Sequence, residues 1–246
     1  MKNSKSIIAI SLVLALAACA RTADNLKEET QITLPPPVMP DEILNVAFLI
    51  VDGVYNSELV APMDILHHTV FHTEKGMQVF TVAPDSATIT TFEGLKIIPD
   101  FSFLNDSIPS IDVLVVPSAE HSMDSDLENE ALIDFVRSTG NSAKYVMSLC
   151  DGAFVLAKAG LVDGKESTTF PSDIQKYKET FPELTVHDGV SFVHDGKLIT
   201  SVGGAKSYDP ALYLSEILYG KKVAAGIAKG LVIDWKAEEI DFVMVE

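Results

Sequence analysis

The chain has 246 residues, of which 47% are hydrophobic, and its formal net charge at pH 7 is −17. This length and composition allow one sizeable domain with a large buried core. The acidic balance argues against binding to nucleic acid, because that requires clustered Lys and Arg side chains. The charge favours solubility but does not indicate a ligand.

Residues 1–18 have the pattern of a lipoprotein signal peptide. Lys2 and Lys5 form a basic end, residues 7–16 are apolar, and the sequence LAAC ends at Cys19. Such an arrangement is typical of a secretory signal, and the apolar run is too short to span about 30 Å of hydrocarbon as a helix. LAAC resembles a bacterial lipobox, which implies cleavage before Cys19 and attachment of lipid to it. An ordinary signal peptide cleaved elsewhere is the alternative.

Residues 19–43 are predicted to form a polar, Pro-rich tether, because they contain too little apolar surface to fold. We therefore expect an exported protein anchored to the cell envelope through Cys19. Ala20 fits sorting to the outer membrane, with the protein on its periplasmic face. If Cys19 carries lipid, Cys150 has no disulfide partner in the chain, and a lone thiol is unusual in an oxidising compartment.

Residues 44–246 alternate between predicted strands and helices and form one predicted domain. Continuous apolar runs predict buried strands at 45–51, 76–84, 112–117 and 144–149. Helical patterns cover 58–68, 129–138, 153–159 and 210–219, and a hairpin is predicted around Glu93 and Gly94. This alternation predicts an α/β fold: a flavodoxin-like, three-layer, doubly wound sandwich with a mostly parallel central sheet.

The sequence offers no nucleotide-binding glycine loop and no spacing typical of metal ligands. His67, His68 and His72 could share a helix face, but no second cluster flanks them. Surface or hydrogen-bonded histidines are therefore the favoured interpretation. We expect neither a metal nor a cofactor.

Cys150 is the main candidate for chemistry, which collects at the carboxyl ends of parallel strands. A predicted strand runs straight into the sequence CDGAF, so Cys150 should lie at a sharp turn, with a helix beginning by Gly152 or Ala153. This is the arrangement of a nucleophile elbow. The helix start would lower the pKa of the thiol, and the N–H groups of Asp151 and Gly152 could stabilise an oxyanion. A buried structural thiol is the other interpretation, and spacing alone leaves both open.

Four stretches together resemble the ThiJ/PfpI superfamily, which has the class I glutamine amidotransferase-like fold. The nearest branch contains isocyanide hydratases and the amidotransferase-like domains of AraC-type regulators. The resemblance extends over most of residues 44–246 and implies that Cys150 is the nucleophile. The stretches are VAFLIVDGVYNSELVAPMDIL, IDVLVVPSAEHS, SLCDGAFVLAKAGLVDGKESTTFP and HDGKLITSVGGAKSYDPALYLSEILYGKKVAAGIAKGL.

The resemblance also implies roles for Glu58 and Asp151. Glu58 occupies the position of the family's Asp or Glu, whose protonated carboxyl donates a hydrogen bond to the sulfur and favours the thiolate. Otherwise Glu58 would be only an acid in the first turn of a helix. Asp151 follows the nucleophile, where isocyanide hydratases usually have Thr. Its N–H can serve the oxyanion, whereas its side chain, if ionised, would raise the pKa of the thiol.

Two departures from the family pattern weaken the catalytic interpretation. Phe170 stands where many members carry a His, and it cannot act as a base. The family's Pro-Gly-Gly loop reads Pro117, Ser118 and Ala119 here, which puts an oxyanion donor in doubt. His121 in the same loop either reaches the sulfur as a substitute base or points into solvent.

Gly203 and Gly204 lie at a predicted strand-to-helix turn, which in the family borders the active-site pocket. A tight turn before a helix that begins near Pro210 explains them equally well.

Two functions follow from these residues. The first is a cysteine-dependent hydratase or hydrolase, acting on a small C–N or carbonyl substrate and similar to isocyanide hydratases. The second is a non-catalytic or redox-responsive protein that senses or binds a ligand on the same fold. Glu58 and the elbow favour the enzyme, whereas Phe170 and the altered loop favour the sensor. Superfamily members are commonly dimers, so we expect a homodimer.

Overall fold

The computed structural model describes residues 34–245. The predicted signal peptide, Cys19 and the first part of the predicted tether lie outside the described residues. Within the described range, no helix has both the length and the apolar character needed to cross a membrane.

Twelve strands lie within residues 34–245. Eight of them form one sheet, in which all neighbouring pairs but one are parallel. In chain order the strands are β1 (Asn45–Leu49), β2 (Gln78–Ala83), β3 (Ile89–Thr90), β4 (Lys96–Ile97), β5 (Phe101–Ser102), β6 (Val113–Val116), β7 (Tyr145–Leu149), β8 (Glu166–Ser167), β9 (Thr185–Val186), β10 (Phe192–Asp195), β11 (Leu198–Ser201) and β12 (Phe242–Val245). The order in the large sheet is β12-β10-β11-β7-β6-β1-β2-β5, and the antiparallel pair is β10 with β11.

Helices cover both faces of this sheet. They are α1 (Asn56–His67), α2 (Glu130–Ser142), α3 (Gly152–Lys158), α4 (Ile174–Thr180), α5 (Tyr208–Tyr219) and α6 (Lys221–Gly230). Helices α1, α5 and α6 contribute to one core, and α2, α3 and α4 contribute to the other. Strand β6 shows why its sequence is apolar throughout: Val113 and Val115 belong to the first core, and Leu114 and Val116 to the second.

The predicted fold class is confirmed. The four predicted strands and four predicted helices lie within a few residues of β1, β2, β6, β7, α1, α2, α3 and α5, and the predicted hairpin is the antiparallel pair β3–β4. The hairpin β10–β11 and the parallel edge strand β12 were not predicted. All three strands are only four residues long, and β10 and β11 also contain polar side chains, so the apolar pattern is weak there.

The end of the segment predicted as a tether contacts the domain. The N–H groups of Val38 and Met39 donate hydrogen bonds to the carbonyls of Ile217 and Leu218, at distances of 3.0 and 2.8 Å. These carbonyls lie in the last turn of α5, where a helix leaves its C=O groups without internal partners. Leu34 packs against the first core. From residue 34 onward the chain is therefore held against the domain.

Candidate active site

Cys150 lies at the sharp turn between β7 and α3. It is one of few described non-glycine residues with a positive φ, at 53°, and it is 6% exposed. Its N–H donates to the carbonyl of Ser201 at 2.9 Å, and its carbonyl accepts a hydrogen bond from the Thr169 hydroxyl at 3.0 Å. An L-residue in this conformation is strained and persists only where its surroundings hold it, as in a nucleophile elbow.

Two glycines leave the space that this turn requires. A Cβ on Gly152 would lie 2.1 Å from the carbonyl oxygen of Val116, and one on Gly203 would lie 2.4 Å from the Cβ of Cys150. Gly203 also has a φ of 72°. The strand, the turn and the Gly203 loop therefore pack too closely for side chains at either position.

Glu58 is buried beside the thiol and is 3% exposed. Its Oε2 accepts a hydrogen bond from the N–H of Ser118 at 3.0 Å, and its Oε1 accepts one from the N–H of Gly204 at 3.2 Å. Burial raises the pKa of Glu58, while the hydrogen bonds from Ser118 and Gly204 and the nearby Cys150 thiol lower it in part. The predicted acid therefore lies beside the predicted nucleophile, and its raised pKa allows its carboxyl to hold a proton.

Asp151 supplies a second carboxyl to the same sulfur. Its Oδ2 lies 3.7 Å from the Sγ of Cys150, and its Oδ1 accepts a hydrogen bond from the Thr169 hydroxyl at 3.0 Å. Burial, followed by the negative charge of Asp173, raises the pKa of Asp151 to about 6. One thiol therefore lies between two buried carboxyls.

The pKa of the Cys150 thiol is raised, whereas the sequence predicted that it would be lowered. Burial is the main cause, and the negative charges of Glu58 and Asp151 add to it. The Asp151 N–H lowers the pKa only in part, and α3 is a helix of seven residues. The surroundings of Cys150 therefore favour the protonated thiol over the thiolate.

The loop at Ser118 and Ala119 uses both of its N–H groups within the protein. The Ser118 N–H is bonded to Glu58, and the Ala119 N–H donates to the Ser122 hydroxyl at 2.8 Å. This loop therefore offers no free backbone donor to an oxyanion at these two residues. The buried Ser118 hydroxyl makes no hydrogen bond of normal geometry, yet it lies close enough to lower the pKa of both Cys150 and Glu58.

His121 and Phe170 do not complete the site. The Nδ1 of His121 lies 3.4 Å from the Oδ1 of Asp124, and its side chain is 53% exposed. Its ring is thus paired with Asp124 at the surface instead of with the Cys150 sulfur. Phe170, at the position where a base was sought, is also partly exposed. Within residues 34–245, no group of three or more His, Cys, Asp and Glu side chains is arranged to hold a metal ion.

Two residues of the site were missed by the sequence analysis. Thr169 bridges the Cys150 carbonyl and the Asp151 carboxyl through its hydroxyl. Tyr55, directly before α1, has a raised pKa because of burial and the negative charges of Cys150, Glu58 and Asp151, so its hydroxyl lies near the site. The only signals in the sequence were the Thr pair before Phe170 and the position of Tyr55 three residues before Glu58.

The profile of the DJ-1/PfpI family matches residues 44–216, which include every residue of this site. The chain belongs to the DJ-1/PfpI family. It is 34% identical over 184 residues to an isonitrile hydratase from Pseudomonas putida, covering 74% of this chain and 75% of that one. It is 32% identical over 103 residues to the HTH-type transcriptional regulator CdhR from Pseudomonas aeruginosa, covering 42% of this chain and 30% of that one. The crystal structure of Drosophila melanogaster DJ-1beta matches with a TM-score of 0.68 and 25% identity, covering 78% of this chain and 100% of that one.

Membership of the DJ-1/PfpI family confirms the resemblance found in the sequence. In this DJ-1/PfpI domain, Cys150 and Glu58 form a thiol–carboxyl pair inside a buried, acidic site. Such a pair can form a covalent bond through sulfur and deliver a proton to the atom that the sulfur attacks.

Proposed function

We propose that this protein is a cysteine-dependent hydratase that converts a small isonitrile to an N-formamide. The observation that carries the proposal is the buried Glu58 carboxyl, whose pKa is raised, next to the Cys150 thiol at a strained turn. The isonitrile hydratase from Pseudomonas putida, with 34% identity over 184 residues, supports this substrate class.

The donors available in the site also favour an isonitrile over a carbonyl substrate. Attack on a carbonyl places negative charge on oxygen, which requires hydrogen-bond donors at that oxygen. The Ser118 and Ala119 N–H groups are already engaged within the protein. Attack on the terminal carbon of an isonitrile places the charge on carbon, which needs one proton. Glu58 is positioned to supply it.

The first half of the reaction forms a thioimidate. The proton of the Cys150 thiol passes to Glu58, and the thiolate forms a bond to the terminal carbon of the isonitrile. Glu58 then gives its proton to that carbon, which leaves a thioimidate on the sulfur and an ionised carboxylate on Glu58.

The second half adds water to the thioimidate carbon. One proton of the water ends on the nitrogen, and a tetrahedral adduct remains bound to the sulfur. The hydroxyl of this adduct returns its proton to Glu58 as the carbon–sulfur bond breaks. The N-formamide leaves, and Glu58 passes this proton to the Sγ of Cys150, which restores the thiol and the ionised carboxylate.

Glu58→Gln is expected to lower kcat/KM for an aliphatic isonitrile by roughly 10²- to 10³-fold, because glutamine keeps the size of the side chain but has no proton to transfer. The rate of formamide production by the wild-type protein and by the variant is measured from the NMR signal of the formyl proton. Glu120→Gln removes an equal charge from a residue whose side chain is exposed, and it should change the rate by less than about twofold. Absence of product from the wild-type protein would contradict the proposed function.

A ligand-sensing protein without turnover is the second candidate, and the raised pKa of Cys150 favours it. In that case isonitriles would yield no formamide. A ligand that binds the folded state would instead raise the melting temperature in proportion to the logarithm of its concentration. The two readouts separate the candidates in one set of samples.

We also propose that two copies of the chain associate through the outer face of α1. Val60 is half exposed there, and with Met63, His67 and Val79 it lines an open groove of about 460 Å³.

Val60→Asp is expected to convert a dimer into a monomer in sedimentation velocity, because a buried, unpaired charge is strongly unfavourable. Val232→Asp places the same charge on a fully exposed side chain and should leave the assembly unchanged. A monomeric wild-type protein rules the proposal out.

Export and lipid anchoring through Cys19 are a separate proposal, which rests on the sequence LAAC and the short apolar run before it. A bacterial culture that expresses the full chain and is fed an alkyne-labelled palmitate should incorporate the label. Cys19→Ser is expected to abolish incorporation, whereas Cys150→Ser should retain it. Equal labelling of both variants would show that lipid is not attached at Cys19.

A further inference from the structure

Asp151 does not do what an aspartate at its position normally does. It is the N-cap residue of α3, where an Asp side chain usually accepts a hydrogen bond from an N–H of the first turn. Here the side chain makes no capping hydrogen bond. It is 8% exposed, and its two oxygens are directed to the Cys150 sulfur and to the Thr169 hydroxyl. Stabilisation of the helix start therefore does not account for it.

The thiol of Cys150 donates a hydrogen bond to the Oδ2 of Asp151, which lies 3.7 Å from the sulfur. Once the sulfur has become bonded to carbon, it has no proton to donate, and this oxygen is left beside the new bond without that partner. A carboxyl in this position is suited to a later step, after the sulfur has become bonded to carbon.

The two carboxyls differ in the hydrogen bonds that they accept. Each oxygen of Glu58 accepts a backbone N–H, from Ser118 or from Gly204. Asp151 accepts the Thr169 hydroxyl on Oδ1, and its Oδ2 is directed at the sulfur. Backbone donors stabilise the ionised form of Glu58, so the less supported Oδ2 of Asp151 is the oxygen better placed to take a proton from water.

We propose that Asp151 is a second catalytic group, the general base that activates water against the thioimidate on Cys150. This role rests on the hydratase function proposed above. The carboxylate takes one proton from the water as the water oxygen bonds to the carbon and the C=N electron pair moves to nitrogen. Asp151 then passes that proton to the nitrogen and is again ionised when the carbon–sulfur bond breaks.

The groups around Asp151 keep it ionised at neutral pH but close to its titration. Burial is the main cause of its raised pKa, and the charges of Asp173 and Glu58 add to it. Hydrogen bonds with Thr169 and Cys150 lower it in part, and the resulting pKa is about 6. Tyr55 also faces it. A base must be ionised to act, so hydrolysis of the thioimidate should slow as the pH falls through about 6.

Asp151→Asn separates this role from a structural one, because its two expected effects have opposite directions. Alkylation of Cys150 by iodoacetamide should become faster, by about tenfold for each unit by which the thiol pKa falls. Turnover of an aliphatic isonitrile should become slower by roughly 10²-fold or more. Mass spectrometry of the intact protein should then show an adduct with the mass of one isonitrile.

Asp173→Asn is the matched control, since it removes a nearby charge that does not touch the sulfur. This variant should accumulate no adduct. The fall of its turnover rate at low pH should move to lower pH, because the Asp173 charge raises the pKa of Asp151. If the wild-type protein produces formamide and Asp151→Asn produces it equally fast without an adduct, the role of Asp151 is wrong and the hydratase stands. If the wild-type protein produces no formamide, the hydratase fails and this role fails with it.

Discussion

Cys150→Ser is expected to lower the turnover of an isonitrile by at least about 10³-fold while leaving the fold intact. Serine fits the space of cysteine and can donate its hydroxyl to Glu58. A hydroxyl is much harder to ionise than a thiol, and the described residues around it supply carboxyls but no imidazole, since His121 is paired with Asp124 at the surface. The covalent step should therefore stop. Initial rates of formamide production and a thermal melt measure the two effects.

Ser148→Ala provides the control for this experiment. Ser148 lies on β7, two residues before Cys150, and its buried hydroxyl has no hydrogen-bond partner among the described residues. Loss of this hydroxyl should leave turnover within about twofold of the wild-type rate. If Cys150→Ser retains a tenth or more of the wild-type rate, Cys150 is not the nucleophile.

The fold was predictable because its central strands are buried on both faces. β1, β6 and β7 are apolar apart from Asn45 and Ser148, and their burial leaves little choice but a parallel sheet between helices. The elbow was predictable for a similar reason, because a strand that runs into Cys150, Asp151 and Gly152 must turn before a helix can begin. Local pattern decides both features.

The chemistry of the site was less predictable, because it depends on contacts between distant parts of the chain. Gly204 is 146 residues from Glu58, and its N–H helps to hold the carboxyl. The pKa of Cys150 was predicted to fall because of a helix start, but burial and two carboxyls raise it. A spacing in the sequence indicates which residues face one edge of a sheet. It does not show how many negative charges share that edge or which N–H groups are already engaged.

The arrangement has a consequence for how the site can be activated. Glu58 and Asp151 both raise the pKa of Cys150, so the site disfavours a third negative charge. In the proposed reaction, proton transfer from Cys150 to Glu58 creates a thiolate without adding a negative charge to the site. A site of this kind has a thiol that reacts slowly with general alkylating agents, yet it can react readily with a substrate that accepts the shared proton.

Gly152→Ala is expected to have the second large effect, on both stability and turnover. The added Cβ would lie 2.1 Å from the Val116 carbonyl oxygen, and a backbone atom in the centre of a sheet cannot move aside cheaply. Overpacking of this kind costs about 1–3 kcal/mol, which for a chain of this size lowers the melting temperature by roughly 2–12 °C. The clash pushes the elbow away from β6, and a displacement of the nucleophile by about 1 Å can cost roughly 10²-fold in rate.

Gly230→Ala is the matched control for that variant, because no described atom lies within 4 Å of its added Cβ and its φ is not positive. Gly230 ends α6, where alanine should be neutral or slightly stabilising. Thermal melts and kcat/KM for both variants decide whether the close contact between the elbow and β6 matters. A Gly152→Ala protein with wild-type stability and rate would show that the turn can shift without disturbing Cys150, and that its strained conformation is not required for the chemistry.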